Sequence, residues 1–242
     1  MRNLIQATLY RGIQIYLGYE ATKIEAKDGM LVTNAIRSDG SIIECQSGLV
    51  INAAGRVPNT SDLELGNAGI VKGEQSQIVV DAKLRVEDKS NIYALGDVIG
   101  KRPFTEAVNY EADILLHNIN NPKDQIETNY HGLPMVIYTY PKMAVVGKNS
   151  KQLLDNDIKH KSKKSNLSEF FTERIHANQF AESSTCINEK TKKILGVSLL
   201  GTSADDMINY FALAMQYDIG YDQLQNIKLA YPTATHDTKF LF

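Results

Sequence analysis

The 242-residue sequence predicts a mixed fold in two parts, α/β in the first half and α+β in the second. Three observations carry this. The stretch "IQIYLGYEATKIEAKDGMLVTNAIRSDGSIIEC" alternates apolar and polar residues around two turn signals, Lys27-Asp28-Gly29 and Ser38-Asp39-Gly40. Leu49 to Ala53 is a short, wholly apolar run of the kind covered on both faces in a parallel sheet. In the second half, strands are followed by a helix rather than alternating with helices.

Taken in order, "LIQATLYRG" reads as the end of a helix, with Leu4, Ile5 and Leu9 at helical spacing and Gly12 at the C-terminal cap. The alternating stretch predicts a meander with strands near 13–15, 20–26, 30–37 and 41–45. Leu49 to Ala53 predicts a buried strand ending at Gly55 and Arg56. "IVVDAKLRVED" predicts two short strands around Asp81, and "NIYAL" another buried one. A helix is expected from about 104 to 119, with Ala107, Tyr110, Ile114 and either Leu116 or His117 inward. Asn120-Asn121-Pro122 ends it. Residues 122 to 134 are polar and turn-rich, which places a domain boundary there.

Beyond the boundary, "MVIYTY" and "MAVVGK" read as strands, "SKQLLDND" as a short helix, and "QFAESSTCINEKTKKILGVSLLG" as a hairpin around Glu189-Lys190-Thr191-Lys192. "TSADDMINYFALAMQYD" reads as a helix with Thr202 or Ser203 as its cap. Asp205 and Asp206 lie in its first turn, and Met207, Tyr210, Phe211, Ala214 and Met215 form the packing face.

Composition excludes several classes. The formal net charge of -2 and pI near 6.2 leave no basic footprint for nucleic acid. No apolar run approaches the ~18 residues of a membrane span, and "MRNLIQATLYRGIQIYLGY" lacks a signal-peptide core, so a cytoplasmic protein is expected. Cys45 and Cys186 cannot form a local CxxC or CxxxxC pair and read as structural thiols.

One short stretch asks for a ligand. "NIYALGDV" runs as a strand into Gly96 and a single acid, Asp97. With "VINAAGRVPNT" before it, "FTEAV", "PMVIYTYPKMAVVG" and "ILGVSLLGTSADDMINYFALAMQYDI" after it, and "AYPTATHD" last, the chain resembles, in order and along nearly its whole length, the C-terminal half of a pyridine nucleotide-disulfide oxidoreductase of the glutathione reductase, dihydrolipoamide dehydrogenase and mercuric reductase type. The resemblance implies a partial Rossmann-like FAD/NAD(P) domain followed by an α+β interface domain. Its boundaries would be 1–56 for the C-terminal part of the NAD(P)-binding domain, 57–121 for the second part of the FAD-binding domain, and 122–242 for the dimerisation domain.

It further implies that Asp97, set close to the cofactor by Gly96, accepts hydrogen bonds from the FAD ribityl chain. Gly55 and Arg56 would lie on the flavin side of a crossing strand, the Arg56 fork suiting a diphosphate or ribose. "FTEAV" resembles the start of the helix under the flavin pyrimidine, so Phe104 would lead it. The Thr105, Glu106 and Ala107 amides would face the ring edge where negative charge grows on reduction.

The interface domain implies a homodimer, with Thr139, Tyr140 and Pro141 shaping the contact. In thiol-reducing relatives the terminal motif is His-Pro-Thr-x-x-Glu; here Tyr231 and His236 stand in those two positions as the candidate catalytic pair. Neither Gly-x-Gly-x-x-Gly turn nor the CxxxxC pair of the family is present, since "GNAGIVKG" has the wrong spacing. The expectation is therefore an FAD-dependent NAD(P)H oxidoreductase acting on a small disulfide or related oxidant, represented by its C-terminal half and inactive alone. A non-catalytic dimerisation module without cofactor is the alternative.

Overall fold

A computed structural model describes all residues except Met1, Asp88 and Ser90. It divides into two compact units, Ile15–Thr128 and a second made of the residues up to Gln14 with Asn129–Phe242. Mixed helix and sheet fill both, as the sequence predicts, in two antiparallel sheets. No helix among the described residues is long and apolar enough to cross a membrane.

The first unit opens with a three-stranded sheet in the order β1 (Tyr19–Lys27), β2 (Met30–Arg37), β3 (Ile42–Ser47). Lys27 pairs with Met30 across Asp28 and Gly29, both at positive φ, the two-residue turn whose twist suits a hairpin. The second turn is tied by the Asp39 carboxylate, which accepts from the Ser41 amide at 3.0 Å.

Two expected strands are absent. Residues 13–15 lie outside any ladder, because no described strand runs beside them. Leu49 to Ala53 forms no strand either, and it is not buried: Leu49, Ile51 and Val57 are 73%, 80% and 84% exposed. A strand that is apolar on both faces needs neighbours on both edges and layers on both sides. The described residues supply neither.

After it, a compact knot of turns buries Leu65, Ile70, Ile78, Val80, Leu84, Val86, Ala94 and Ile99 against Ile114 of helix α2 (Thr105–Asn120). The two strands expected around Asp81 are isolated bridges instead, Val80 with Val86 and Arg85 with Tyr93. Asp81 breaks the ladder by gathering the Lys83 and Arg85 amides, at 2.8 and 3.0 Å, and the Arg85 guanidinium at 3.2 Å. "NIYAL" contributes one bridge and then turns at Gly96.

The inward face of α2 is Ala107, Glu111, Ile114 and Asn118, with Leu116 exposed and Tyr110 only partly buried. The two polar members are buried because each serves backbone. Asn118 both donates to the Ile126 carbonyl (2.9 Å) and accepts from its amide (2.8 Å), folding the chain back after the helix.

The second unit holds a five-stranded antiparallel sheet in the order β4 (Met135–Ile137), β5 (Lys142–Gly147), β8 (Ile194–Gly201), β7 (Glu182–Ile187), β6 (Lys161–Asn166). Helix α5 (Ala204–Gln216) covers β5 and β8, burying Met207, Ile208, Phe211, Ala212, Ala214 and Met215. Close approach of β5 to β8 requires glycine: a Cβ on Gly196 would lie 2.0 Å from the Lys148 carbonyl oxygen. Ser203 is the cap residue of α5 without a side-chain bond, because the neighbouring Thr202 spends its amide and hydroxyl on the buried carboxylate of Glu173.

Strand β6, "KSKKSN", has no apolar alternation to announce it. It is a charged edge, the composition that keeps an open strand from pairing with another chain. Helix α1 (Arg2–Tyr10), capped at Gly12 as expected, belongs to this unit. There Tyr10 meets Phe180 with ring centroids 5.5 Å apart, and the Arg11 guanidinium lies 3.8 Å over the Tyr140 ring. Short helices α3 (Ser150–Leu154), α4 (Phe171–Arg174), α6 (Tyr221–Asn226) and α7 (Ala234–Asp237) complete it. Cys45 is half-buried on β3 and Cys186 buried on β7, where burial pushes its thiol pKa up.

Candidate functional site

The acid singled out from the sequence sits on a constructed turn. Leu95 is extended, Gly96 swings to φ +75°, and a 3-10 turn runs from Gly96 to Ile99. The turn is fixed from inside: the Gly96 amide donates to Glu111 Oε2 at 2.7 Å, and Ile78 N donates to the Val98 carbonyl at 2.9 Å. Gly96 is needed twice over, for its positive φ and because a Cβ there would press on Val108 at 3.3 Å. Asp97 is thereby presented at the surface of the turn, half-exposed.

Arg56 reaches it. Its Nη2 lies 2.5 Å from Asp97 Oδ2, the one cross-connection that ties the extended 48–59 segment to this turn among the side-chain ion pairs of the described residues. Gly55 precedes it at φ +100°, with open space where a Cβ would stand. Phe104 is the extended N-cap of α2; Thr105 and Glu106 are exposed on its first turn. Ala107 is fully buried and its amide donates to the Phe104 carbonyl at 3.1 Å, so that N–H is already engaged within the helix turn. The structure thus brings Gly96, Asp97 and Arg56 together and packs their turn on α2.

Chemically this is one wall of an anion- and hydroxyl-binding site. A carboxylate accepts from hydroxyls, a guanidinium donates in a fork, and exposed leading amides of a helix favour negative charge. Glu111 went unnoticed in the sequence because a Glu within a helix reads as solvated; its place on the inward face, four residues after Ala107, was the available signal.

The second candidate pair lies in the other unit. Tyr231 precedes a cis bond to Pro232 and is largely exposed. Its ring meets His236 edge-on at 5.1 Å between centroids, and Phe240 walls the imidazole on another side at 5.7 Å. Thr233 caps α7 by accepting from the His236 amide at 3.1 Å. Asp237 follows, buried, and takes a short hydrogen bond from the Thr172 hydroxyl. Neither Asp237 nor Thr172 was singled out from the sequence, although an acid beside the candidate His was there to be seen.

The family models match in the same order. That of the pyridine nucleotide-disulphide oxidoreductases covers residues 1–119, and that of their dimerisation domain covers 133–239. Human mitochondrial dihydrolipoyl dehydrogenase is 28% identical over 211 residues, 87% of this chain and 40% of that one. An uncharacterized 19.7 kDa protein in a mercuric resistance operon of Staphylococcus aureus is 29% identical over 178 residues, 73% of this chain and 97% of its own.

Among solved structures, LpdA of Mycobacterium tuberculosis superposes with a TM-score of 0.83 at 19% identity over 98% of this chain and 50% of that one. The HOCl-induced flavoprotein disulfide reductase RclA of Escherichia coli gives 0.84 at 21% identity over 99% and 54%. The chain therefore spans about 40% of the dihydrolipoyl dehydrogenase and about half of each solved chain. With both matched models drawn from one family and running in sequence along the chain, this protein belongs to the pyridine nucleotide-disulphide oxidoreductases, whose members are flavoproteins using FAD and NAD(P)H.

Proposed function

We propose that these 242 residues supply one wall of an FAD site and the dimerisation layer of an NAD(P)H oxidoreductase of the disulfide reductase type, and that they are inactive without the complementary wall. The observation that carries the reading is Asp97 on its Glu111-anchored turn, with Arg56 beside it and the leading turn of α2 packed against it. In this reading 1–56 belongs to the NAD(P)-binding domain, 57–121 to the FAD-binding domain and 122–242 to the interface of a cytoplasmic homodimer.

The residues fit the flavin on this side only. Asp97 would accept the ribityl hydroxyls, exchanging Arg56 for them, and Arg56 would turn to a phosphate or ribose. Thr105 and Glu106, at the exposed lead of α2, would offer amides to the ring edge. When bound, FAD supplies the capacity to take a hydride from NAD(P)H and pass electrons onward. Tyr231 and His236 would stand at the mouth for a small disulfide or related oxidant and handle its proton.

The bare apolar run at 49–57 supports the need for a complement, since such a segment is made to be covered. The Arg56–Asp97 ion pair favours a second reading, a dimerisation module without cofactor, because it satisfies the carboxylate from within the chain. Absorption of the purified chain after gel filtration separates the two. An oxidised-flavin band that stays with the protein sinks the cofactor-free module; a colourless dimer sinks autonomous activity. Coding DNA read immediately upstream tests the complement directly: Gly-x-Gly-x-x-Gly and CxxxxC in the same frame would place both walls on one polypeptide.

A further inference from the structure

His236 carries an unsatisfied atom. Its Nδ1 is buried and has no hydrogen-bond partner, while Asp237 Oδ1 lies 3.7 Å away. The other Asp237 oxygen is taken by the Thr172 hydroxyl, reaching over from α4. The carboxylate is thus held with one oxygen fixed and the second directed at the ring.

We propose that Asp237 and Thr172 are positioning residues that hold the His236 imidazole with its proton on Nδ1, leaving Nε2 as the acceptor. The proposal rests on the reading in which His236 handles a substrate proton. Three features make the arrangement specific. The Thr233 cap pins the His236 backbone, and the rings of Tyr231 and Phe240 bracket the imidazole. A gap of 3.7 Å closes to a charge-assisted hydrogen bond of about 2.8 Å with a shift of roughly 1 Å, well within side-chain motion. A buried nitrogen next to a buried carboxylate is satisfied as a donor, not as an acceptor.

The step it serves balances as a simple proton transfer. Nε2 takes the proton of a substrate thiol, leaving thiolate, and the resulting imidazolium keeps its Nδ1 proton on Asp237. The same Nε2 proton returns to the departing thiolate later. Tyr231, at the mouth, keeps its own proton throughout, as its ordinary pKa near ~10 allows.

Ring 15N resonances of the histidine-labelled full chain, with His236 assigned through His236→Gln, test the proposal at a pH where the ring is neutral. The Nδ1–H tautomer is expected to dominate in the wild type. Asp237→Asn should shift the tautomer ratio toward Nε2–H by roughly tenfold, and Thr172→Val by less, with Thr172→Ser restoring the wild-type ratio. An Nε2–H wild-type ring overturns the proposal, as does a ratio that Asp237→Asn leaves unmoved in a folded chain. If Asp237→Asn does not fold, the wild-type tautomer and the Thr172→Val and Thr172→Ser pair decide. None of these readouts needs flavin, so a colourless chain would defeat the cofactor reading without touching this one.

Discussion

The two units treat their apolar surface in opposite ways. In the Asn129–Phe242 unit five strands pair in sequence, α5 lies on β5 and β8, and Phe211, Ile208 and Ala214 are sealed completely. In the Ile15–Thr128 unit the core is a knot of bridges and one helix, while Ile42, Leu49, Ile51 and Val57 stand in solvent. Apolar residues in the first are the means of folding; in the second a good part of them is unused by the unit itself. One unit closes its own layers and the other presents an unfinished one.

The largest expected effect tests the closed unit. Phe211→Ala should cost about 3–5 kcal/mol, because a ring with no exposed surface leaves a cavity that the surrounding sheet cannot fill. Hydrogen exchange should show the loss in β5, β8 and α5; equal loss in the 60–99 knot would break the distinction between the units. Next, Glu111→Ala should cost about 1–3 kcal/mol by leaving the buried Gly96 amide without its acceptor, read as faster exchange at 96–99.

Acid sharpens the comparison further. Burial pushes the Asp81 carboxyl up, but the Arg85 and Lys83 amides and the Arg85 guanidinium outweigh it and hold its pKa below the ordinary value. The folded state thus prefers the charged form. Its contribution is complete above about pH 4 and is lost as pH falls through the lower folded value. Urea titrations of wild type and Asp81→Asn should differ by less than about 1 kcal/mol at neutral pH, the group being partly exposed, and converge in acid. The smallest effect is expected at the bare segment: Ile51→Lys should move folding stability by under about 0.5 kcal/mol, since there is no packing to lose. A cost above that would mean the segment is packed in solution.

Legibility in the sequence followed the same divide. The hairpin at Asp28-Gly29, α2, the β7–β8 hairpin and α5 were readable because turn chemistry and periodicity agreed with the final contacts. The Leu49 to Ala53 strand was misread because apolar composition reports what a segment is suited to, not whether its neighbours are present. Strand β6 was invisible because an edge hides its identity behind lysines. Of the site, Gly96, Asp97 and Arg56 were marked by type and spacing. Glu111, Asp237 and Thr172 were not, because each works through a long-range bond that no local pattern encodes.

The bond from Gly96 to Glu111 has a mechanical consequence. It fastens the turn that carries Asp97 to the second turn of the same helix whose lead carries Thr105 and Glu106. Displacing that helix by a single residue's rise, about 1.5 Å, would drag the turn with it or break the bond. The acid and the helix lead are therefore two arms of one calliper, and their spacing is set before anything is gripped.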